Sequence, residues 1–394
     1  MSAAAETVLR RDAFSILPQT DYRLLTAILM LAMIGLIMVT SASISLAERN
    51  LGTPFYYLER QSLFLLIAFA VGWLILQVRL DIWQSMGTLG LVLAMGLLVL
   101  VLVPGVGREV NGSVRWINLG IFNLQVSEVL KVAVMVYLAA YMVRRGEQVR
   151  RTMGGFLIPI GLLGVCSVLL LQQPDFGAVI VIGCTGLGML FLGGVPLWRF
   201  AVLVTAAAGG AWALIIGSPY RLERLLSFSN PWADPFNTGF QLTQSLIAIG
   251  RGEWFGVGLG GSVQKLFYLP EAHTDFVFAV LAEEFGLIGV VLLIALYSYI
   301  CWRIFAIGYA NMRAGHSFAA YLCWGVAIWF GLQSFINVAV NMGLVPTKGL
   351  TLPLLSYGGS SLLMTIAALA LVLRAEHERL AAEVSVKSRR GRTA

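Results

Sequence analysis

The chain has 394 residues, of which 58% are hydrophobic and 12% are charged, and its formal net charge is +7. So few polar residues cannot cover the surface of a water-soluble protein of this length. The composition therefore indicates an integral membrane protein. No compact basic domain carries the positive charge, which argues against nucleic acid as a partner.

Long apolar runs follow a short polar leader, residues 1–21, that is predicted to be cytoplasmic. Most of the runs reach the roughly 20 residues that a helix needs to cross a bilayer core. The ten runs are residues 22–46, 60–78, 83–104, 126–143, 153–171, 176–194, 198–217, 276–308, 317–345 and 354–374. This pattern predicts an all-α polytopic membrane protein with about ten transmembrane helices, whose membrane domain covers residues 22–374.

The placement of arginine predicts the orientation of these helices. Most arginines fall on the side of the two termini, namely Arg10, Arg11, Arg23, Arg79, Arg144, Arg145, Arg150, Arg151, Arg199, Arg303 and Arg313, with those of the tail. Loops rich in Lys and Arg stay in the cytoplasm, so both termini are predicted to be cytoplasmic. After seven spans, residues 218–275 then form a large loop on the periplasmic side.

The basic tail, residues 375–394, is predicted to lie in the cytoplasm without fixed structure. It either anchors the topology or contacts anionic lipid head groups or a cytosolic partner, and the sequence does not separate these roles.

Asp275 lies at the end of the large loop, directly before an apolar run. A carboxylate between a wet loop and a buried helix is solvated on one side only, which raises its basicity. Asp275 is therefore the candidate catalytic base. Glu284 follows more than two helical turns later and points roughly opposite, so the two carboxylates are not expected to share a site.

Glu128 and Lys131 are charges inside an apolar run, where each one is costly and marks a candidate functional residue. Their spacing of three residues places them on one helix face. Two interpretations stay open. The pair can neutralise itself so that the helix inserts, or it can form the charged wall of a cavity in which Lys131 binds a phosphate.

Three loop residues on the same predicted side are further candidates for substrate binding. Arg115, beside Trp116, suits a phosphate, and anchoring at the membrane interface explains it equally well. Asp175 suits the N-cap of the following helix. Lys348 lies in the last loop, where it can reach an anionic head group or remain without a ligand.

Gln333, Asn337 and Asn341 recur at every fourth position and form one polar stripe on an apolar helix. Hydrogen bonds between helices and the lining of a polar cavity are both compatible with such a stripe.

The sequence lacks the motifs that indicate a disulfide framework, a protein-built metal site or a bound nucleotide. Cys166, Cys184, Cys301 and Cys323 lie in or beside apolar runs, which argues against a disulfide framework. His, Cys and carboxylate residues do not occur at metal-ligand spacing, and the GxxxxGK[ST] loop of ATP-binding proteins is missing. The sequence thus predicts no required cofactor and no protein-built metal site.

A reaction without a bound nucleotide needs a substrate that carries its own leaving group, and a lipid-linked diphosphate sugar meets that condition. Direct displacement would need one base, for which Asp275 is the candidate. The departing diphosphate would need positive charge, which Arg115, Lys131 and Lys348 could supply. A loosely held divalent cation, Mg²⁺ or Mn²⁺, could add to it.

Five segments together resemble the SEDS (shape, elongation, division and sporulation) proteins. They are residues 172–175 (QQPD), 230–232 (NPW), 241–245 (QLTQS), 269–276 (LPEAHTDF) and 354–361 (LLSYGGSS). The resemblance extends over about residues 22–374. It implies a ten-helix peptidoglycan glycosyltransferase of the bacterial inner membrane that polymerises lipid II by inverting transfer and releases undecaprenyl pyrophosphate. Residues 345–353 (VPTKGLTLP) are similar to the cell-division branch, which implies action at the septum.

The resemblance also implies roles and partners. Asp275 matches the family's essential acidic residue, and Glu128 and Lys131 match its cavity pair. The implied partners are lipid II, the growing lipid-linked strand, a class B penicillin-binding protein of the FtsI type, and the regulators FtsQ, FtsL, FtsB and FtsN. The alternative is a lipid II flippase, because the polar stripe and the charge pair could line a path. A scaffold that only recruits a transpeptidase is a third hypothesis.

Overall fold

The computed structural model describes residues 20–110, 113–118, 120, 123–217, 231–235, 239–266, 268–346 and 349–393. Within these ranges the chain forms mostly α-helices. They are α1 (Tyr22–Leu51), α2 (Tyr56–Gln77), α3 (Leu80–Val101), α4 (Val126–Arg151), α5 (Met153–Gln172), α6 (Phe176–Leu192), α7 (Leu197–Ile216), α8 (Phe240–Arg251), α9 (Val277–Arg313), α10 (Ser317–Asn341) and α11 (Gly359–Thr393).

All of these helices except α8 coincide with the ten predicted apolar runs, so the predicted fold class is confirmed. Eight are long and apolar enough to cross a membrane, and α6 and α7 are shorter apolar helices. The helix α8 has 12 residues. That length is too short to cross a bilayer core. The leader up to residue 19 lies outside the described residues.

A small antiparallel sheet between α3 and α4 is an addition that the apolar pattern does not indicate. Its strands are β1 (Gly107–Val110), β2 (Ser113–Asn118) and β3 (Asn123–Gln125), in the order β1-β2-β3. Because β3 passes directly into α4, the sheet fixes where α4 begins. The Ser360 hydroxyl at the start of α11 accepts from the Gln125 N–H at 3.0 Å, which holds the sheet on the helical bundle.

The core of the bundle is built around α4, which contacts α3, α5, α6, α10 and α11. Small residues allow the closest approaches, as where Gly87 of α3 lies against Ala140 of α4. The helices α9 and α10 make the most extensive contact of any pair, follow each other in sequence through a short turn and run antiparallel. As a result, the start of α9 and the end of α10 meet at the same end of the bundle.

The helix α9 is interrupted at Gly286, whose backbone angles are φ 63° and ψ -163°. This conformation is open to glycine and strained for other residues. The neighbouring loop enters the break, where the Val257 N–H donates to the Glu283 carbonyl at 3.0 Å and the Leu287 N–H donates to the Glu253 carbonyl at 2.8 Å. The sequence alone predicts one uninterrupted span here.

The basic tail is not without fixed structure, which corrects the prediction for its described residues. It continues α11 as far as Thr393. Charge pairs at helical spacing explain the difference, since Arg379 binds both Glu376 and Glu383 on the same helix face. The Glu378 carboxylate also accepts from the backbone N–H of Leu80, which attaches the first turns of the tail to α3.

Candidate functional site

Asp275 lies two residues before α9 and is half-buried. Its Oδ2 lies 3.4 Å from the position that a Cβ atom would occupy on Gly349, in the loop between α10 and α11. The carboxylate is thus covered on one side by that loop and open on another. This is the environment that the sequence predicts for a catalytic base at the seam between loop and helix.

The electrostatics of Asp275 suit proton transfer near neutral pH. Burial, reinforced by the negative charge of Glu271, raises the pKa of the Asp275 carboxyl to about 7, although the positive charge of Arg115 opposes the rise. A base works best when its pKa lies near the working pH.

The polar stripe on α10 makes hydrogen bonds to the loops of this site. The side-chain amides of Asn337 and Asn341 donate to the carbonyl oxygen of Asp275 at 2.9 and 3.0 Å. Gln333 donates to the Thr351 carbonyl at 3.0 Å. Of the two interpretations left open by the sequence, hydrogen bonding accounts for all three residues.

Glu128 and Lys131 form a buried ion pair in α4, with 2.8 Å between Glu128 Oε1 and Lys131 Nζ. The ammonium also donates to Gln333 Oε1 at 2.8 Å and faces the Trp329 ring, 5.3 Å from its centroid. A cavity of about 10 Å³ adjoins Lys131, which is the size of one water molecule. The side chains of Glu128 and Lys131 are both buried. This closed arrangement favours the neutralised pair, so Lys131 would have to leave these partners before it could bind a phosphate.

Arg115 extends from β2 to the turn between α5 and α6. Its guanidinium donates to the carbonyls of Gln173 and Pro174, both at 3.0 Å, and lies 3.9 Å from the Asp175 carboxylate. The Asp175 carboxylate in turn accepts from the Ala178 N–H at 3.1 Å, which confirms the predicted N-cap of α6. Arg115 therefore stands beside a carboxylate that already has partners of its own.

Leu350 connects the Arg115 and Asp175 contacts to Asp275. Its carbonyl accepts from Asn337 at 2.6 Å. Its side chain lies against Gly177, where an added Cβ would come within 2.8 Å of it. Asp275, Arg115 and Asp175 are thus gathered at one end of the bundle, and the Glu128–Lys131 pair is joined to them through Gln333.

Lys348 lies outside the described residues. Within the described part of the chain, no group of three or more His, Cys, Asp and Glu side chains is placed to hold a metal ion.

The surroundings of His273 in the fold are not indicated by the sequence. The His273 ring lies 4.7 Å from the ring centroid of Tyr57 and 5.7 Å from that of Tyr357. The His273 carbonyl accepts from the Tyr357 N–H at 2.9 Å. These contacts bind the segment before Asp275 to α2 and to the loop before α11. Sequence spacing offers no signal for them because the three residues lie far apart in the chain.

Glu283 and Glu284 serve a different purpose from Asp275, as their helical positions predict. The Glu284 carboxylate accepts from Ser41 and pairs with Lys265 at 2.7 Å. Glu283 accepts from Ser262 and from the Val263 N–H. Both carboxylates therefore attach the end of the large loop to α9 and α1.

Comparison with known families gives one match that spans most of the chain. The family model described as "Cell cycle protein", which groups FtsW, RodA and SpoVE, matches residues 22–380. Two similar proteins are both named "Probable peptidoglycan glycosyltransferase FtsW". One, from Alkalilimnicola ehrlichii, is 59% identical over 92% of this chain and 91% of its own. The other, from Halorhodospira halophila, is 55% identical over 95% of each chain.

Solved structures with the same fold include two informative ones. A chain from work described as "Structural coordination of polymerization and crosslinking by a peptidoglycan synthase complex" superposes with a TM-score of 0.77 at 31% identity, over 91% of this chain and 98% of that one. The rod shape determining protein RodA of Thermus thermophilus superposes with a TM-score of 0.68 at 28% identity, over 91% and 97%.

Proposed function

Because the chain belongs to the FtsW, RodA and SpoVE family of cell cycle proteins, we propose that it is a peptidoglycan glycosyltransferase that polymerises lipid II during cell division. Asp275 is the base of the reaction. The observation that carries this assignment is a half-buried carboxylate with a pKa of about 7, held directly before α9 and against the loop between α10 and α11.

The proposed reaction is a direct displacement with inversion at the anomeric carbon of the donor. The Asp275 carboxylate accepts the proton of the sugar 4-hydroxyl on the incoming lipid II. The hydroxyl oxygen forms the new bond to the anomeric carbon. The bond from that carbon to the diphosphate breaks, and the electron pair leaves with undecaprenyl pyrophosphate. The product is a strand one disaccharide longer, still attached to the lipid of the acceptor.

Positive charge near the departing diphosphate would stabilise the transition state. Arg115 is proposed for this role, because its guanidinium lies at the turn of Pro174 and Asp175, at the end of the bundle where Asp275 also lies. Lys348 and, after release from Gln333, Lys131 are proposed to add to it. A Mg²⁺ or Mn²⁺ ion would be carried mainly by the diphosphate, since Mg²⁺ commonly binds one or two carboxylates together with substrate phosphates.

Replacement of Asp275 by Asn tests the assignment, because the amide keeps the shape and cannot accept the proton. The purified variant is given lipid II at pH 8, with the partner transpeptidase present, and polymer is measured on gels. We expect polymer to fall to the background of a reaction without enzyme, with normal membrane insertion. Glu59→Gln, at an exposed carboxylate on α2, is the control. Undiminished polymer from Asp275→Asn would refute the proposed role.

Transport of lipid II is separated from polymerisation by vesicles that contain labelled lipid II. Movement of the label across the bilayer without polymer would favour the flippase hypothesis. The hydrogen bonds of Gln333, Asn337 and Asn341 to the loops of the site support the polymerase instead, since a transport path would use such groups to line an aqueous cavity.

We further propose that this multi-pass membrane protein acts at the septum, with both termini cytoplasmic, beside a class B penicillin-binding protein of the FtsI type. The superposition on a chain of a peptidoglycan synthase complex supports that partner. FtsQ, FtsL, FtsB and FtsN are proposed regulators by family resemblance. Co-purification of the transpeptidase with the tagged chain and fluorescence of a fusion at mid-cell are the tests.

A further inference from the structure

We propose that Asn337 and Asn341 are positioning residues for the polymerisation reaction, which hold Asp275 out of helix α9 so that its carboxylate faces the substrate. This inference rests on the proposed function and adds two residues that do not touch the reacting atoms.

The key geometry is a side-chain amide inserted into a helical hydrogen bond. In a regular helix the Asp275 carbonyl would accept from the N–H of Ala279, four residues later. Here the amide of Asn341 stands between them. Its Nδ2 donates to the Asp275 carbonyl at 3.0 Å, and its Oδ1 accepts from the Ala279 N–H at 3.2 Å. The Ala279 N–H is shared, because it also donates to the Phe276 carbonyl at 3.0 Å. The Asn341 amide occupies the position between this N–H and the Asp275 carbonyl.

Asn337, one helical turn earlier on α10, completes the arrangement. Its Nδ2 donates to the same carbonyl at 2.9 Å and to the Leu350 carbonyl at 2.6 Å. One side chain thus holds Asp275 and the loop that covers its carboxylate. Asn337 and Asn341 are 1% and 0% exposed, so the contacts are shielded from water.

Such an arrangement fixes the direction of the carboxylate through its backbone. Without the Asn341 amide, the Asp275 carbonyl would keep only the Asn337 donor and the Ala279 N–H only the Phe276 acceptor. The space between the two groups would then be open to a direct helical hydrogen bond. The first turn of α9 would then extend and rotate the Asp275 side chain. Misplacement of a catalytic group by about 1 Å can cost on the order of 100-fold in rate.

The charged groups around Asp275 come from several elements. Glu271 lies in the same loop, and Arg115 comes from β2. Lys348, in the loop after α10, lies outside the described residues. The imidazole of His273 packs against tyrosine rings. The residues by which α10 holds Asp275 are uncharged amides, so their substitution alters position and hydration without altering the local charge.

The test compares three variants in the full-length protein, assayed with lipid II over pH 5.5–8.5. Asn341→Leu and Asn337→Leu keep the approximate shape of the side chain and remove its hydrogen bonds. Ser334→Ala is the matched control, because the Ser334 hydroxyl is buried on the same helix and donates only within it, to the Phe330 carbonyl. Thermal unfolding and gel filtration report whether each variant is folded.

We expect kcat to fall at least about tenfold in Asn341→Leu and less in Asn337→Leu, with KM little changed, because positioning acts on the chemical step. In both variants the acid limb of the rate should move to lower pH as the carboxyl becomes hydrated. Ser334→Ala should match the parent. If Asn341→Leu fails to fold, the kcat and pH profile of Asn337→Leu alone test the positioning role.

An unchanged kcat and pH profile in folded Asn341→Leu or, in its absence, in Asn337→Leu would overturn the inference. The proposed function is refuted by a different result, namely undiminished polymer from Asp275→Asn. An inactive Asp275→Asn beside fully active Asn variants would leave the base in place and remove only the positioning role.

Discussion

At the scale of single residues, Glu271 affects the pKa of the proposed base, Asp275. Its negative charge adds to burial in raising the pKa of Asp275 to about 7. A protonated carboxyl cannot accept a proton, so the polymerisation rate should fall as the pH decreases through about 7. Glu271→Gln removes a charge that favours protonation, so the acid limb should move to lower pH while the rate at pH 8.5 is kept. A rate profile from pH 5 to 8.5 checks this, and an unmoved limb would contradict it.

The buried pair of Glu128 and Lys131 makes a second prediction at this scale. Removing one partner of such a pair leaves an uncompensated charge and costs about 3–5 kcal/mol. Lys131→Met should therefore lower the thermal unfolding midpoint strongly, whereas Glu128→Gln together with Lys131→Met should lower it less. Equal midpoints for the single and the double variant would show that the two charges are not coupled.

At the scale of elements, the approach of α1 to the loop before α11 depends on Gly35. A Cβ atom at Gly35 would lie 2.3 Å from the carbonyl oxygen of Leu354 and 2.9 Å from Cα of Leu355. Gly35→Ala must push the loop away, at a cost of about 1–3 kcal/mol. Because this loop continues from the one that covers Asp275, we expect both the unfolding midpoint and the polymerisation rate to fall.

Gly96→Ala on α3 is the control for this effect, because a Cβ atom there would meet nothing within 4 Å. Its unfolding midpoint should stay the same or rise slightly, since alanine within a helix is more stable than glycine by roughly 0.5–1 kcal/mol. If Gly35→Ala and Gly96→Ala lower the unfolding midpoint equally, the contact of Gly35 with the loop does not explain the loss of stability.

Some elements were predictable from the sequence and others were not, for identifiable reasons. Apolar runs were enough to predict the ten apolar helices, and the Asp175 cap follows from local chemistry. The break at Gly286 depends on the backbone of residues about thirty positions earlier, and the hydrogen bonds of Asn341 to Asp275 and Ala279 depend on the pairing of α9 with α10. Periodicity within one segment carries no information about such partners.

At the scale of the whole molecule, the orientation in the membrane can be measured with two cysteines. In a variant with the four native cysteines replaced, Glu271→Cys should react with a membrane-impermeant maleimide in intact spheroplasts. Glu147→Cys, near the end of α4, should react only after lysis. Both glutamates are exposed, so differences in burial do not decide the result. The reverse pattern would place both termini outside the cytoplasm.

The assembly of the site could be predicted only in part at this scale. Asp275 stood out because it is a charge at the boundary of an apolar run. The contacts of the Lys131 ammonium with Gln333 and Trp329 could not be predicted, because they require α4 and α10 to pack side by side. Family resemblance points to the same residues, yet it does not reveal their hydrogen-bond partners.

The interruption of α9 has a consequence for how the enzyme responds to lipid composition. Beyond Gly286 the helix continues to Arg313. At roughly 1.5 Å per residue this part is about 40 Å long, which is close to a bilayer with its head groups. Thicker or thinner bilayers change the tilt of such a segment. The interruption at Gly286 separates this segment from the first turns of α9, and the backbone of Asp275 before them is held by Asn337 and Asn341 of α10. We therefore expect turnover to vary little between short- and long-chain phospholipids.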